Sequence, residues 1–124
     1  MSERPELSRV RRICLALPET SERPSHGAPT FFIAGKRAFV MFQDDHHGDG
    51  RLAIWCAAPD GLQQALTDSS PDRFFVPPYV GHRGWLGVRL DNGPDWGEVA
   101  GLAEEAFVSA APGRLSRGLV ERSS

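Results

Sequence analysis

The sequence predicts an α+β domain in which hairpin-rich strands lie between two amphipathic helices. Two apolar stripes at helical spacing carry this: Leu7, Val10, Cys14 and Leu17 near the start, and Trp96, Val99, Leu102, Ala103, Ala106, Phe107 and Ala110 near the end. The segment between them changes to short apolar runs punctuated by glycine, proline and aspartate, the pattern of strands and turns.

Taken in order, Pro5 to Leu17 reads as the first helix, stopped by Pro18. Pro18 to Pro29 holds three prolines and a glycine and is expected to be a loop. Thr30–Ala34 and Arg37–Gln43 read as a hairpin, with Gly35-Lys36 as its two-residue turn. Asp44–Gly50 is a polar connection, and Arg51–Ala57 is the next strand. Pro59 suits the first turn of a short helix over about Asp60–Thr67, with Leu62, Ala65 and Leu66 facing inward. Arg73–Val76 is a short strand before Pro77-Pro78, and Trp85–Leu90 alternates like a half-buried strand. Asp95 is an N-cap for the last helix with Glu98 three residues on, and Pro112-Gly113 ends it.

The chain of 124 residues fits a single domain over 1–113, followed by a tail, 114–124, expected to be mobile. Its composition, 40% hydrophobic and 24% charged, excludes an intrinsically disordered protein. No apolar run nears the roughly 20 residues of a membrane span, and the N-terminus lacks a secretion signal. The expectation is a cytoplasmic protein with no membrane partner and with Cys14 and Cys56 as small buried hydrophobes. Net charge is −2, and its distribution runs from +1 over residues 1–25, through zero over 35–90, to −3 over 91–124. No segment carries the basic footprint of a strong nucleic-acid binder.

The segments Leu17-Pro18-Glu19-Thr20, Gly35-Lys36-Arg37-Ala38-Phe39, Cys56-Ala57-Ala58-Pro59-Asp60, Val76-Pro77-Pro78-Tyr79 and Trp85-Leu86-Gly87-Val88-Arg89-Leu90 follow one another at characteristic spacings over about residues 7–111. In this the chain resembles the MmcQ/YjbR family. The resemblance implies a CyaY-like (frataxin-like) fold, an antiparallel sheet with the N- and C-terminal helices packed on one face. It also implies DNA binding through a pair of β-hairpin wings. The chain departs from the family pattern at Tyr79-Val80-Gly81-His82-Arg83-Gly84, where relatives carry a lysine-rich stretch; its one lysine is Lys36.

Strand alternation sets Leu52, Ile54 and Cys56 on one face and Ala53, Trp55 and Ala57 on the other; likewise Leu86, Val88 and Leu90 oppose Trp85, Gly87 and Arg89. With helices on the aliphatic side, the reverse face displays Trp55, Trp85 and Arg89. The competing expectation is that loops or the middle helix bury these indoles as packing residues. The hairpin tip Lys36-Arg37 is the candidate phosphate contact, with Arg51, His82 and Arg83 in addition. Asp44-Asp45-His46-His47-Gly48-Asp49 lacks the separated ligand pairs of a structural zinc site and is read as a polar connection, so no metal is expected.

No phosphate loop, GxSxG elbow or HExxH is present, which argues against an enzyme, and no cofactor is expected. The leading expectation is a non-catalytic protein that binds DNA through its hairpin wings. The alternative is binding or sequestration of a planar aromatic small molecule by Trp55, Tyr79, Trp85, Arg89, Phe32 and His26. A protein–protein module using the same aromatic face is a third reading.

Overall fold

The computed structural model describes residues 4–113, so the expectation for the tail 114–124 lies outside the described residues. Six strands form one antiparallel sheet: β1 (Thr20–Ser25), β2 (Ala28–Ile33), β3 (Arg37–Asp44), β4 (Leu52–Cys56), β5 (Phe74–Phe75) and β6 (Leu86–Arg89), in the order β1-β2-β3-β4-β6-β5. Helix α1 (Pro5–Leu15) packs on β1, β3 and α3 (Trp96–Ala110); α3 packs on β3 and β4; and α2 (Leu62–Ser69) lies near β5 at the far edge.

The aliphatic side is sealed as the alternation predicts. Leu7, Val10 and Cys14 of α1 and Val99, Leu102, Ala103, Ala106 and Phe107 of α3 close over Val40, Phe42, Ile54, Cys56, Leu86 and Val88, all buried. Both cysteines are free thiols in this core, and burial in apolar surroundings pushes Cys56 up to about 12 and Cys14 further up. Asp95 caps α3 as expected, its Oδ1 accepting from the N–H groups of Gly97 (2.9 Å) and Glu98 (3.2 Å). The Glu98 carboxylate is directed to Arg73 in an ion pair.

Four local features depart from the sequence reading or add to it. The stretch read as a loop from Pro18 to Pro29 contains β1 and the start of β2, joined by the two-residue turn His26-Gly27. Both turn residues have positive φ (52° and 80°), the geometry that matches the strand twist. Pro24 is tolerated because β1 is an edge strand, where a missing donor breaks no inner ladder. Secondly, the β2–β3 turn centres on Ala34-Gly35 (φ 53° and 68°), one residue earlier than read, with the Lys36 N–H donating to the Ile33 carbonyl at 3.0 Å.

Thirdly, the β2–β3 register jumps from Phe31↔Val40 to Phe32↔Ala38, which leaves Phe39 as the extra residue of a β-bulge. Phe39 and Val40 are therefore both buried, and Phe39 meets Phe107 of α3 edge-on, with centroids 5.8 Å apart. Lastly, α2 lacks a fully buried residue; Leu62 and Leu66 are half-buried, but Ala65 is exposed, because the helix covers only the narrow β5 edge.

Candidate functional site

The reverse face of the sheet runs through the cross-strand series Thr30, Met41, Trp55, Gly87 and Phe75, since directly paired residues share a face. Gly87 is required there: a Cβ at this position would come within 2.4 Å of the Phe75 ring, and the Arg51 guanidinium lies 4.1 Å from that ring's centroid.

The indoles are not open on this face. Trp55 is 3% and Trp85 4% exposed, so the competing expectation of packed indoles holds. Loops supply ring contacts to both, His46 on Trp55 and Arg83 on Trp85. The β3–β4 connection brings His46 edge-on to Trp55 at 4.7 Å between centroids, and His46 also meets Tyr79 at 5.8 Å. This connection is built by its own aspartates: Asp45 Oδ1 accepts from the Gly50 N–H (2.7 Å), Asp49 Oδ1 from the Arg51 N–H (2.9 Å), and Asp44 pairs with Arg4 (2.6 Å). The carboxylates that suggested a metal loop are occupied in shaping a turn.

The second cover is the segment between β5 and β6. Gln63 of α2 holds it, its Nε2 donating to the carbonyls of Gly81 (2.8 Å) and Trp85 (2.6 Å). Nothing in the sequence reading singled out Gln63, because its role depends on two carbonyls 18 and 22 residues away.

Between these covers the face keeps two adjoining grooves. One, of ≈ 540 Å³, is lined by Ser25, His26, Met41, Gln43, His46, His47, Trp55, Tyr79, Val80 and Arg83. The other, of ≈ 570 Å³, is lined by Phe32, Lys36, Arg37, Ala38, Met41, Ala57, Ala58, Arg83, Trp85, Ser109 and Ala110. Met41 and Arg83 belong to both. No carboxylate lines either groove among the described residues.

The sequence-predicted candidates thus divide. His26, Trp55 and Tyr79 come together in the first groove; Phe32, Trp85, Lys36 and Arg37 in the second; and Arg83 bridges the two. Arg51, Arg89 and His82 are placed elsewhere. Arg51 is spent on Phe75, Arg89 forms a two-point pair with Asp91 (3.0 Å at each contact), and His82 is exposed in the short 3-10 turn Gly81–Arg83. Beside Arg89 the Asp91 carboxyl is held below its usual range. His46 and His47 were not among the candidate site residues, and only the three-dimensional closure of their loop brings them to the groove.

Two features single out the Trp55 groove. The indole Nε1–H of Trp55 is buried with no acceptor among the described residues. Three of its lining residues, His26, His47 and Tyr79, adopt left-handed φ (52°, 49° and 66°), a conformation that costs non-glycine residues energy and concentrates at functional sites. Burial is the main cause that lowers the His46 pKa below its ordinary value, with His47 adding repulsion and Asp49 opposing, so the ring facing Trp55 is neutral at pH 7.

The family model named YjbR matches residues 15–108. The chain belongs to the YjbR family. The crystal structure of Deinococcus radiodurans protein DR2400, described as a DUF419 domain, has the same fold: TM-score 0.69 at 17% identity, over 82% of this chain and 75% of that one. No curated protein matches the sequence. In this YjbR-family chain the match takes in β1 to β6 and most of α3, and therefore every residue of both grooves except Ser109 and Ala110. No helix among the described residues is long and apolar enough to cross a membrane.

Proposed function

We propose that this protein is a non-catalytic binder of a planar aromatic small molecule, held in the groove over Trp55. The observation that carries this reading is the set of rings around one concave space: Trp55 as floor, with His46 and Tyr79 beside it. The volume lies in the usual ligand-pocket range of about 300–1,000 Å³. Ring pairs in such sites contribute about 0.5–1.5 kcal/mol each beyond area burial. A ligand acceptor that reaches the Trp55 Nε1–H after His46 moves aside also relieves a buried donor, whose lack of a partner costs about 1–3 kcal/mol.

The test is a screen of flat aromatic compounds by quenching of tryptophan emission, repeated on Trp55→Phe. Saturable quenching that disappears in Trp55→Phe supports the reading. Quenching by no compound, or quenching indifferent to that substitution, refutes it.

A second reading, DNA binding through a hairpin, is favoured by one feature: Arg23, Lys36 and Arg37 crowd the β2–β3 turn, with the Arg23 Nη1 donating to the Gly35 carbonyl at 3.1 Å. The opposite end of the sheet counts against a matched pair of wings, since Asp44, Asp45 and Asp49 sit in the β3–β4 connection. A duplex shift assay at two salt concentrations checks it. Affinity that falls steeply with salt and drops in a Lys36→Ala, Arg37→Ala double variant supports DNA as the partner.

A further inference from the structure

Among the described residues some arginines are paired with carboxylates, and others, Arg9, Arg12, Arg23 and Arg51 among them, are not. Arg4, Arg11, Arg73 and Arg89 are each paired with a carboxylate, from Asp44, Glu22, Glu98 and Asp91 respectively. Lys36, Arg37 and Arg83 have no carboxylate partner among the described residues, and all three line the Trp85 groove. What they do touch is neutral: Arg37 Nη1 donates to the Ala110 carbonyl at the end of α3 (3.4 Å), and the Arg83 guanidinium lies 5.5 Å from the Trp85 ring centroid. Arg23 flanks the same groove, its guanidinium 3.7 Å over the Phe32 ring. In a chain of net charge −2, three uncompensated cations converging on a concave, carboxylate-free surface form a local positive field.

We infer that the Trp85 groove is an anion subsite, and that the ligand of this face is a planar aromatic acid whose carboxylate, sulfonate or phosphate group is held by Lys36, Arg37 and Arg83. This deepens, and rests on, the proposed ring site over Trp55. Continuity between the two comes from Arg83 and Met41, which line both grooves, so a ring over Trp55 and an acid group beside Lys36 and Arg37 belong to one extended ligand. Arg37 is fixed from behind by the α3 carbonyl, which pre-orients its remaining N–H groups, and Arg83 follows the turn held by Gln63. Lys36 projects from the tight Ala34-Gly35 turn, where its backbone N–H is already bonded to Ile33.

The experiment compares 1-naphthyl phosphate, 1-naphthol and inorganic phosphate by calorimetry at constant ionic strength. It uses the full chain, Trp55→Phe, and a Lys36→Gln, Arg37→Gln double variant, whose two positions line the Trp85 groove and not the Trp55 groove. The expected result is that naphthyl phosphate binds at least about tenfold more tightly than naphthol, the effect of roughly one charge-assisted contact. The double variant removes that preference while keeping naphthol affinity and the melting temperature.

Equal affinity for naphthol and naphthyl phosphate leaves the ring site standing and overturns the anion subsite. Naphthyl phosphate that is displaced by inorganic phosphate and unaffected by Trp55→Phe, with naphthol not binding, upholds the subsite and overturns the ring site. Binding of none of the three overturns both. Duplex DNA that competes with naphthyl phosphate and binds more tightly assigns the three cations to a nucleic-acid backbone and overturns the small-acid assignment.

Discussion

The His46 imidazole stands edge-on to the Trp55 indole, 4.7 Å between centroids at an interplanar angle of 64°, and separates that buried ring from solvent. His46 thus covers the floor of the ring site. The short-range bonds of Asp45 and Asp49 hold the loop that carries it. Replacing His46 with Ala therefore uncovers Trp55 at little cost to the fold, with a stability change within about 1 kcal/mol. In a background where Trp85 and Trp96 are Phe, the variant's emission shifts to the red and acrylamide quenching increases. Unchanged emission shows that the indole is sealed by something other than His46.

The same contact sets a pH dependence. Burial and the nearby His47 lower the His46 pKa, and Asp49 opposes them less strongly. The rings facing it are those of Trp55 and Tyr79, and Arg83 lines the same groove. The folded pKa thus lies below the unfolded value of about 6.5. Stability from the neutral ring is complete above about pH 6.5 and is lost as pH falls through that value toward the folded midpoint. An NMR titration checks this: the His46 ring midpoint falls below the unfolded value of about 6.5, and His46→Gln loses its share of the acid-induced drop in melting temperature.

Much of this architecture is readable in the chain. Leu7, Val10 and Cys14 mark α1, the stripe from Val99 to Phe107 marks α3, and alternation correctly set Trp55 and Trp85 on one face and Ile54 and Val88 on the other. Strand β1 escaped because a polar edge strand of Thr-Ser-Glu-Arg-Pro-Ser has no apolar face, and its pairing is announced only by the His26-Gly27 turn. The Phe39 bulge escaped because a single skipped residue leaves no trace in composition. At the site, alternation indicated which residues share a face but not that two loops would roof it. That roof splits the expected aromatic surface into a Trp55 groove and a Trp85 groove.

Gly87 tests the packing of the reverse face. A methyl group at this position meets the Phe75 ring, against which the Arg51 guanidinium also rests, 4.1 Å from its centroid. Gly87→Ala is expected to destabilise by about 1–3 kcal/mol, the usual cost of overpacking. Adding Phe75→Ala to that variant removes the clash, so chemical denaturation of the pair gives less than the sum of the two single effects. Additive losses locate the strain elsewhere.

Gln63 tests whether the roof is a mechanical element of the site. Its side-chain amide bridges α2 to the Gly81 and Trp85 carbonyls, the two ends of the turn that presents Arg83. Gln63→Ala leaves both carbonyls without this donor and costs about 1–3 kcal/mol, the range for unpairing part-buried groups. Gln63→Glu is the sharper substitution, because the same shape then carries no donor and sets a carboxylate against two carbonyl oxygens. Hydrogen exchange of residues 79–84 is expected to accelerate in both variants, while amides of β3 and β4 keep their protection. The consequence for binding follows from the position of Arg83 between the grooves. A loosened turn weakens 1-naphthyl phosphate, which spans both, more than 1-naphthol, which needs only the Trp55 groove. Equal loss for the two probes indicates that the turn supports the fold as a whole and that Arg83 needs no help from Gln63 to reach its ligand.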